Sequence, residues 1–185
     1  GKPRVVDASS DICGAPLDVS KHDLIYAGAQ KNLAPGGVTV VILSPWAASR
    51  GKEGLPTMLD YQTHISKGSM FNTPNTYGIF VLDKVLSWVE RNGGLEGAIQ
   101  RNQKKSGLIY DMLDGSDFWR PHAGVGSRSM MNVTWRLADE SLEDVFLAEA
   151  ADNGMGGLKG HRSVGGIRAI LYNGCPVESV EALAS

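Results

Sequence analysis

Lys31 follows a short apolar stretch, Leu24-Ile25-Tyr26-Ala27, and stands among small or amide-bearing neighbours in Gly28-Ala29-Gln30-Lys31-Asn32. An amine just past a strand lies where open α/β sheets bind ligands, and small neighbours let a bulky planar group approach the backbone. Asp7 ends an earlier stretch of the same kind, Val5-Val6-Asp7, ahead of Ala8-Ser9-Ser10. Taken singly, such a lysine is an exposed turn residue and such an aspartate caps its own turn. Converging at neighbouring strand ends, they could bracket one aromatic heterocycle. The amine forms an imine with an aldehyde, and the carboxylate keeps a ring nitrogen protonated so that the ring withdraws electrons. Pyridoxal phosphate needs that pair.

A second group of polar residues lies far downstream, in Gly160-His161-Arg162-Ser163-Val164-Gly165-Gly166-Ile167-Arg168. Its cations stand six to seven residues apart across a flexible Gly-Gly. Read alone, this is a solvated basic loop with a glycine turn. The remaining conspicuous residues have structural readings. Trp46, Trp88, Trp119 and Trp135 are expected to pack. His22, His64 and His122 lack metal-ligand spacing, so no metal site is expected. Glu140, Glu143, Asp144 and Glu149 read as the wet side of one helix.

Several elements must position these residues. Strands are expected over residues 4–8, 24–27 and 38–43, each bounded by Gly, Pro, Asp or Ser. The run Val38-Thr39-Val40-Val41-Ile42-Leu43 is nearly unbroken and β-branched, which predicts a strand buried on both faces of a parallel or mixed sheet. Residues 44–72 read mostly as loop. A helix is expected from Thr73-Pro74, with Thr73 as N-cap and Ile79, Leu82, Leu86 and Val89 as its buried stripe, stopped by Asn92-Gly93-Gly94. A second helix is expected over 95–113, ending at Gly115. Beyond it, Met131, Val133, Trp135 and Leu137 alternate as in a half-exposed strand. A helix over 139–153 closed by Gly154, a strand over 167–172 and a helix from Pro176 complete the pattern. The boundary is expected near 120, and three early strands are too few for a self-sufficient central sheet. Part of the fold is therefore expected upstream.

The 185 residues carry 18 Lys and Arg against 20 Asp and Glu, a net charge of −2, and 42% are hydrophobic. This is ordinary globular composition without the basic excess of a nucleic-acid binder. The longest apolar run is too short to span a bilayer, so no membrane partner is expected. Cys13 and Cys175 sit in no paired spacing, which fits a reduced, cytoplasmic setting.

In order and spacing, Asp7-Ala8-Ser9-Ser10, Asp18-Val19-Ser20-Lys21, Ala27-Gly28-Ala29-Gln30-Lys31-Asn32, Gly68-Ser69-Met70-Phe71-Asn72-Thr73-Pro74 and Leu158 to Arg168 resemble the phosphoserine aminotransferase family. The resemblance covers essentially the whole chain and matches the carboxyl-terminal portion of the family. It implies an α/β fold: residues 1–120 as the remainder of a pyridoxal-phosphate-binding large domain with a mixed sheet, and 121–185 as a small α+β domain, in the aspartate-aminotransferase-like, fold type I arrangement. It implies Lys31 as the cofactor-holding, proton-shuttling lysine, with burial beside the cofactor lowering its pKa. Asp7 would partner the pyridine nitrogen, and Gln30 the cofactor phosphate. Asn72 and Thr73 would reach that phosphate from the neighbouring subunit of a homodimer, an expectation that the free N–H groups of a helix start make physically reasonable. Arg168 would clamp the substrate α-carboxylate, and His161 and Arg162 would face its phosphate or distal carboxylate.

The implied reaction exchanges an amino group between O-phospho-L-serine and 2-oxoglutarate in two half-reactions, with 4-phosphooxy-threonine as a related substrate. Another pyridoxal enzyme of the class (alanine–glyoxylate aminotransferase or cysteine desulfurase) and a non-catalytic dimerising module are the alternatives. Asn75, Ile170 and Gly174-Cys175 depart from the family pattern, close to the implied contacts but not at them. A chain that lacks the upstream half is expected to be inactive alone.

Overall fold

The computed structural model describes residues 2–185. They form two compact units, Gly1–Arg91 and Asn92–Ser185. This division comes earlier in the chain than the boundary expected near 120, because the long helix of residues 94–114 packs with the elements that follow it.

The first unit is built on a three-stranded sheet of β1 (Val5–Asp7), β2 (Leu24–Gly28) and β3 (Thr39–Leu43). β1 runs parallel to β2 with Asp7 opposite Tyr26, and β3 runs antiparallel to β2 with Thr39 opposite Gly28. Alternation along β2 turns Ile25 and Ala27 inward, where they join Ala8 in a small core flanked by Val6, Ile12, Leu17 and Ile42. β3 is an edge strand, and Val41 on it is exposed. The expectation of burial on both faces therefore fails within this unit. An unbroken apolar run signals a strand without saying what covers it.

Residues 44–72 hold more structure than the loop expected there. Helix α1 (Pro45–Ala48) is capped by Ser44, whose hydroxyl accepts from the Ala47 N–H, and α2 (Tyr61–Ser66) is capped by Asp60. Helix α3 runs over Thr76–Arg91, beginning later than the Thr73 N-cap assigned from sequence. The Asn75 carboxamide accepts the Gly78 N–H at 3.0 Å and takes the capping role instead. Pro74 disfavours helical backbone at Thr73, which leaves that residue in the extended approach. Of the expected apolar stripe only Val89 is buried, while Ile79 and Leu86 are exposed.

The second unit carries its own sheet, β4 (Trp119–Pro121), β5 (Asn132–Leu137) and β6 (Ile167–Ile170), antiparallel throughout. β5 alternates as expected: Val133, Trp135 and Leu137 are buried, and Asn132, Thr134 and Arg136 face the other way. Helices α4 (Gly94–Asp114), α5 (Glu143–Asp152) and α6 (Val177–Ala184) belong to this unit, and Ile109 and Leu113 of α4, Ala150 of α5 and Val180 of α6 share one core with the buried residues of β5 and β6. Trp135 is 1% exposed, and Trp119 packs edge-on against both Trp135 and Phe146. The other two tryptophans expected to pack, Trp46 and Trp88, are 45% and 40% exposed. One buried group was not foreseen. Lys105 is 2% exposed, and its Nζ donates to the carbonyls of Leu171, Tyr172 and Cys175 at 2.8, 2.9 and 3.1 Å. Burial pushes this ammonium below the ordinary lysine range.

Candidate active site

The candidate residues lie in both units, and each group is described by itself. In the first, β1 and β2 are parallel neighbours, so Asp7 and the turn after Gly28 leave the sheet at the same edge. That edge, at the carboxyl ends of parallel strands, is where open α/β sheets bind ligands. Four hydrogen bonds join the two exits. The Gly28 N–H donates to Ser9 Oγ at 2.9 Å, and Lys31 Nζ donates to Ser10 Oγ at 2.8 Å. Asn32, which is buried, donates through Nδ2 to the carbonyls of Ser10 and Ile12 at 3.0 and 3.1 Å. The Lys31 amine thus arches over the segment that follows Asp7, next to a neutral hydroxyl.

Asp7 Oδ1 accepts the Ser9 N–H at 2.9 Å. The Ser9 hydroxyl and N–H hold the Asp7 carboxyl below the usual carboxylate range, with smaller contributions from the Tyr26 hydroxyl and the Lys31 charge, against a raising contribution from partial desolvation. Asp7 in turn pushes the Tyr26 hydroxyl up. Ala8, Ala27 and Ala29 beneath this edge are buried and small, so a flat ring meets no bulky side chain from them. Lys31 itself is exposed, at an edge of the sheet that is open in this unit.

Gln30 is exposed, and its carboxamide folds back over Gly28 so closely that a Cβ at that glycine would lie 2.4 Å from Gln30 Oε1. Asn72 and Thr73 are exposed in the approach to α3, where Asn72 Nδ2 donates to the Thr73 carbonyl at 3.1 Å. The helix-start argument made for them applies instead to Asn75 and the residues after it.

In the second unit, β6 presents Arg168 opposite Thr134 of β5, on the face away from the core. Its Nε is buried and has no hydrogen-bond partner among the described residues. An orphaned guanidinium N–H of this kind suits a carboxylate ligand. The loop ahead of β6 is pinched shut by a bond from the Gly160 N–H to the Gly166 carbonyl at 2.7 Å. Glycine is required there, since a Cβ on Gly160 would lie 1.9 Å from the Gly165 carbonyl oxygen, and Gly165 and Gly166 have φ of 75° and 68°. His161 and Arg162 project from the tip, and His161 Nδ1 lies 2.7 Å from Ser163 Oγ.

Three supporting residues escaped the sequence reading: Ser10, Asn32 and Arg136. Ser9-Ser10 and Asn32 sit inside the motifs that drew attention, but their bonds join segments about twenty residues apart, which spacing does not reveal. Among the described residues no group of three or more His, Cys, Asp or Glu is placed to hold a metal, and no helix is long and apolar enough to cross a membrane.

Comparison with known proteins bears on this geometry. The aminotransferase class-V family pattern matches residues 3–183. A phosphoserine aminotransferase of Geobacillus kaustophilus is 56% identical over 98% of this chain and 51% of that protein. The solved phosphoserine aminotransferase from Bacillus circulans subsp. alkalophilus superposes with a TM-score of 0.94 at 51% identity, over 98% of this chain and 51% of that one. A pyridoxal-phosphate-bound phosphoserine aminotransferase from Trichomonas vaginalis gives 0.90 at 31% identity, over 98% and 52%. The chain spans about half the length of the curated relatives it matches. With that family pattern over nearly its whole length, the chain belongs to the class-V aminotransferases.

Proposed function

We propose that the protein containing this chain is a pyridoxal-phosphate-dependent phosphoserine aminotransferase, exchanging the amino group of O-phospho-L-serine with 2-oxoglutarate to give 3-phosphooxypyruvate and L-glutamate. The observation that carries this reading is the amine of Lys31 and the carboxylate of Asp7 at one edge of a parallel strand pair, with Lys31 Nζ bonded to Ser10 Oγ three residues past Asp7. The family membership and the names of the relatives support it.

The donor set fits the cofactor. When bound, pyridoxal phosphate supplies an aldehyde for covalent attachment and an electron-withdrawing ring. Lys31 Nζ would be the attachment point, and its amine would be the base that carries the proton between the substrate α-carbon and the cofactor C4′. The Asp7 carboxylate, kept ionised by the Ser9 bonds, would hold a proton on the ring nitrogen. Gln30 serves the cofactor phosphate, and Asn72 and Thr73 serve it from the partner subunit of a homodimer. Arg168, whose Nε has no partner among the described residues, binds the substrate α-carboxylate, and His161 and Arg162 take the distal phosphate or carboxylate. Those donors favour a phosphorylated substrate over alanine or cysteine, because a dianion needs such partners.

In the whole fold, residues 1–120 are assigned to the large domain and 121–185 to the small one. The change from a mixed to a fully antiparallel sheet between β3 and β4 supports this. Two cysteines in no paired spacing fit a cytoplasmic setting. Assaying the full-length protein with O-phospho-L-serine, L-alanine and L-cysteine as amino donors tests the reading. Turnover on phosphoserine that vanishes in Lys31→Ala is expected. Preference for alanine or cysteine, or an active Lys31→Ala protein, would overturn it.

A further inference from the structure

We infer that Arg136 is a positioning residue: it sets the conformation of the loop that carries His161 and Arg162, and thereby the affinity for the distal anionic group of the substrate. The inference rests on the reading above that this loop meets the distal anion.

The sheet parity of β5 turns Arg136 away from the core, on the same face as Thr134, the cross-strand neighbour of Arg168. From there its guanidinium reaches into the loop, and Nη2 donates to the Val164 carbonyl at 2.5 Å. The loop is folded around that point: the N–H groups of Val164 and Gly165 both donate to the His161 carbonyl at 2.8 Å. Arg136 also lies where side chains at the next two residues would be. A Cβ on Gly165 would come within 2.9 Å of Nη2, and one on Gly166 within 3.0 Å of Arg136 Cγ. Gly165 is therefore seated on this arginine, and Gly166 on the Trp135 carbonyl and the Arg136 stem together.

The other edge of the guanidinium is fixed in turn. Nη1 bonds Glu140 at 2.9 Å and Glu143 at 3.5 Å. These carboxylates do two things. They orient the planar fork so that Nη2 points at Val164, and they offset its charge, so that Arg136 is a poor direct anion ligand. Its influence on an anion passes through the loop. Lysine, with a single ammonium, cannot hold both edges at these separations.

The test uses the full-length holoenzyme with Arg136→Met, Arg136→Lys, Arg162→Ala and the Arg136→Met/Arg162→Ala double variant. Arg136→Met should raise KM for O-phospho-L-serine about tenfold with a smaller change in kcat, because misplacing a binding group weakens association more than chemistry. Arg136→Lys should recover part of that loss. The double variant should lose less relative to Arg162→Ala than Arg136→Met loses relative to the unaltered protein, since the contribution through Arg162 is already gone and only that through His161 remains. Independently of activity, amide hydrogen exchange at Val164 and Gly165 should quicken in Arg136→Met while β5 stays protected. If Arg136→Met fails to fold, a Glu140→Gln/Glu143→Gln variant serves instead, and it should raise KM in the same direction and remain non-additive with Arg162→Ala. An Arg162→Ala protein with unchanged KM would sink the reading of the loop. A raised KM in Arg162→Ala, with no effect of loosening Arg136 or with additive effects, would sink the positioning role alone.

Discussion

The two compact units bury their apolar residues to different extents. In Asn92–Ser185, Trp135, Ile109, Leu113, Leu137, Ile167 and Leu171 share one core, although Phe118, Val125 and Val145 are exposed, and even a lysine is drawn in and satisfied by three carbonyls. In Gly1–Arg91 the core of fully buried residues is Ala8, Ile25 and Ala27, while Val5 and Met70 are 63% and 62% exposed and Phe71, Tyr77 and Phe80 are exposed as well. The comparison teaches that the unit carrying Asp7 and Lys31 has little apolar burial of its own to hold their geometry, whereas the unit carrying Arg168 does. Curated relatives about twice as long fit that contrast.

Mutations should expose the difference, beginning where the effect is largest. Trp135→Ala removes the largest fully buried side chain of the second unit and should cost roughly 3–5 kcal/mol, read by chemical denaturation. Lys105→Met leaves three carbonyls without their donor in a half-buried turn and should cost roughly 2–4 kcal/mol. Ile25→Ala in the first unit should cost only about 2 kcal/mol, the low end for such a truncation, because its surroundings are small and open. A larger loss for Ile25→Ala than for Trp135→Ala would reverse the comparison.

Acid should act more gently and on both units. The Ser9 bonds hold the Asp7 carboxyl, and the Arg128 bonds the Asp114 carboxyl, below their usual 3.8. A carboxylate whose pKa is depressed on folding contributes stability that is complete above the unfolded value and lost as pH falls through the folded one. These groups should therefore leave stability flat between pH 7 and 5 and lower it below 3.8. Denaturation midpoints against pH check this, and Arg128→Met should shrink the second unit's share.

Much of this architecture was legible in the residues, for identifiable reasons. The alternation from Val133 to Leu137 is a local pattern with a core on one side, so parity alone placed β5. Helix α4 announced itself by length and by Gly115 at its end. Thr73 misled because Pro74 looks like a first-turn proline, whereas Asn75, the departure from the family pattern, carries the cap. Trp46, Trp88 and Val41 misled because hydrophobicity reports a wish for burial and not the element that provides it. At the candidate site, Asp7 and Lys31 were legible as residue types at strand ends. Ser10, Asn32 and Arg136 were not, since their roles exist only once segments 20 to 28 residues apart have met.

The central claim is that Lys31 is the residue to which the cofactor attaches. Borohydride reduction of the full-length protein with pyridoxal phosphate, followed by peptide mapping, tests it most directly. The account predicts a pyridoxyl group on Lys31. A label confined to another lysine, or absent while the enzyme is active, would contradict it.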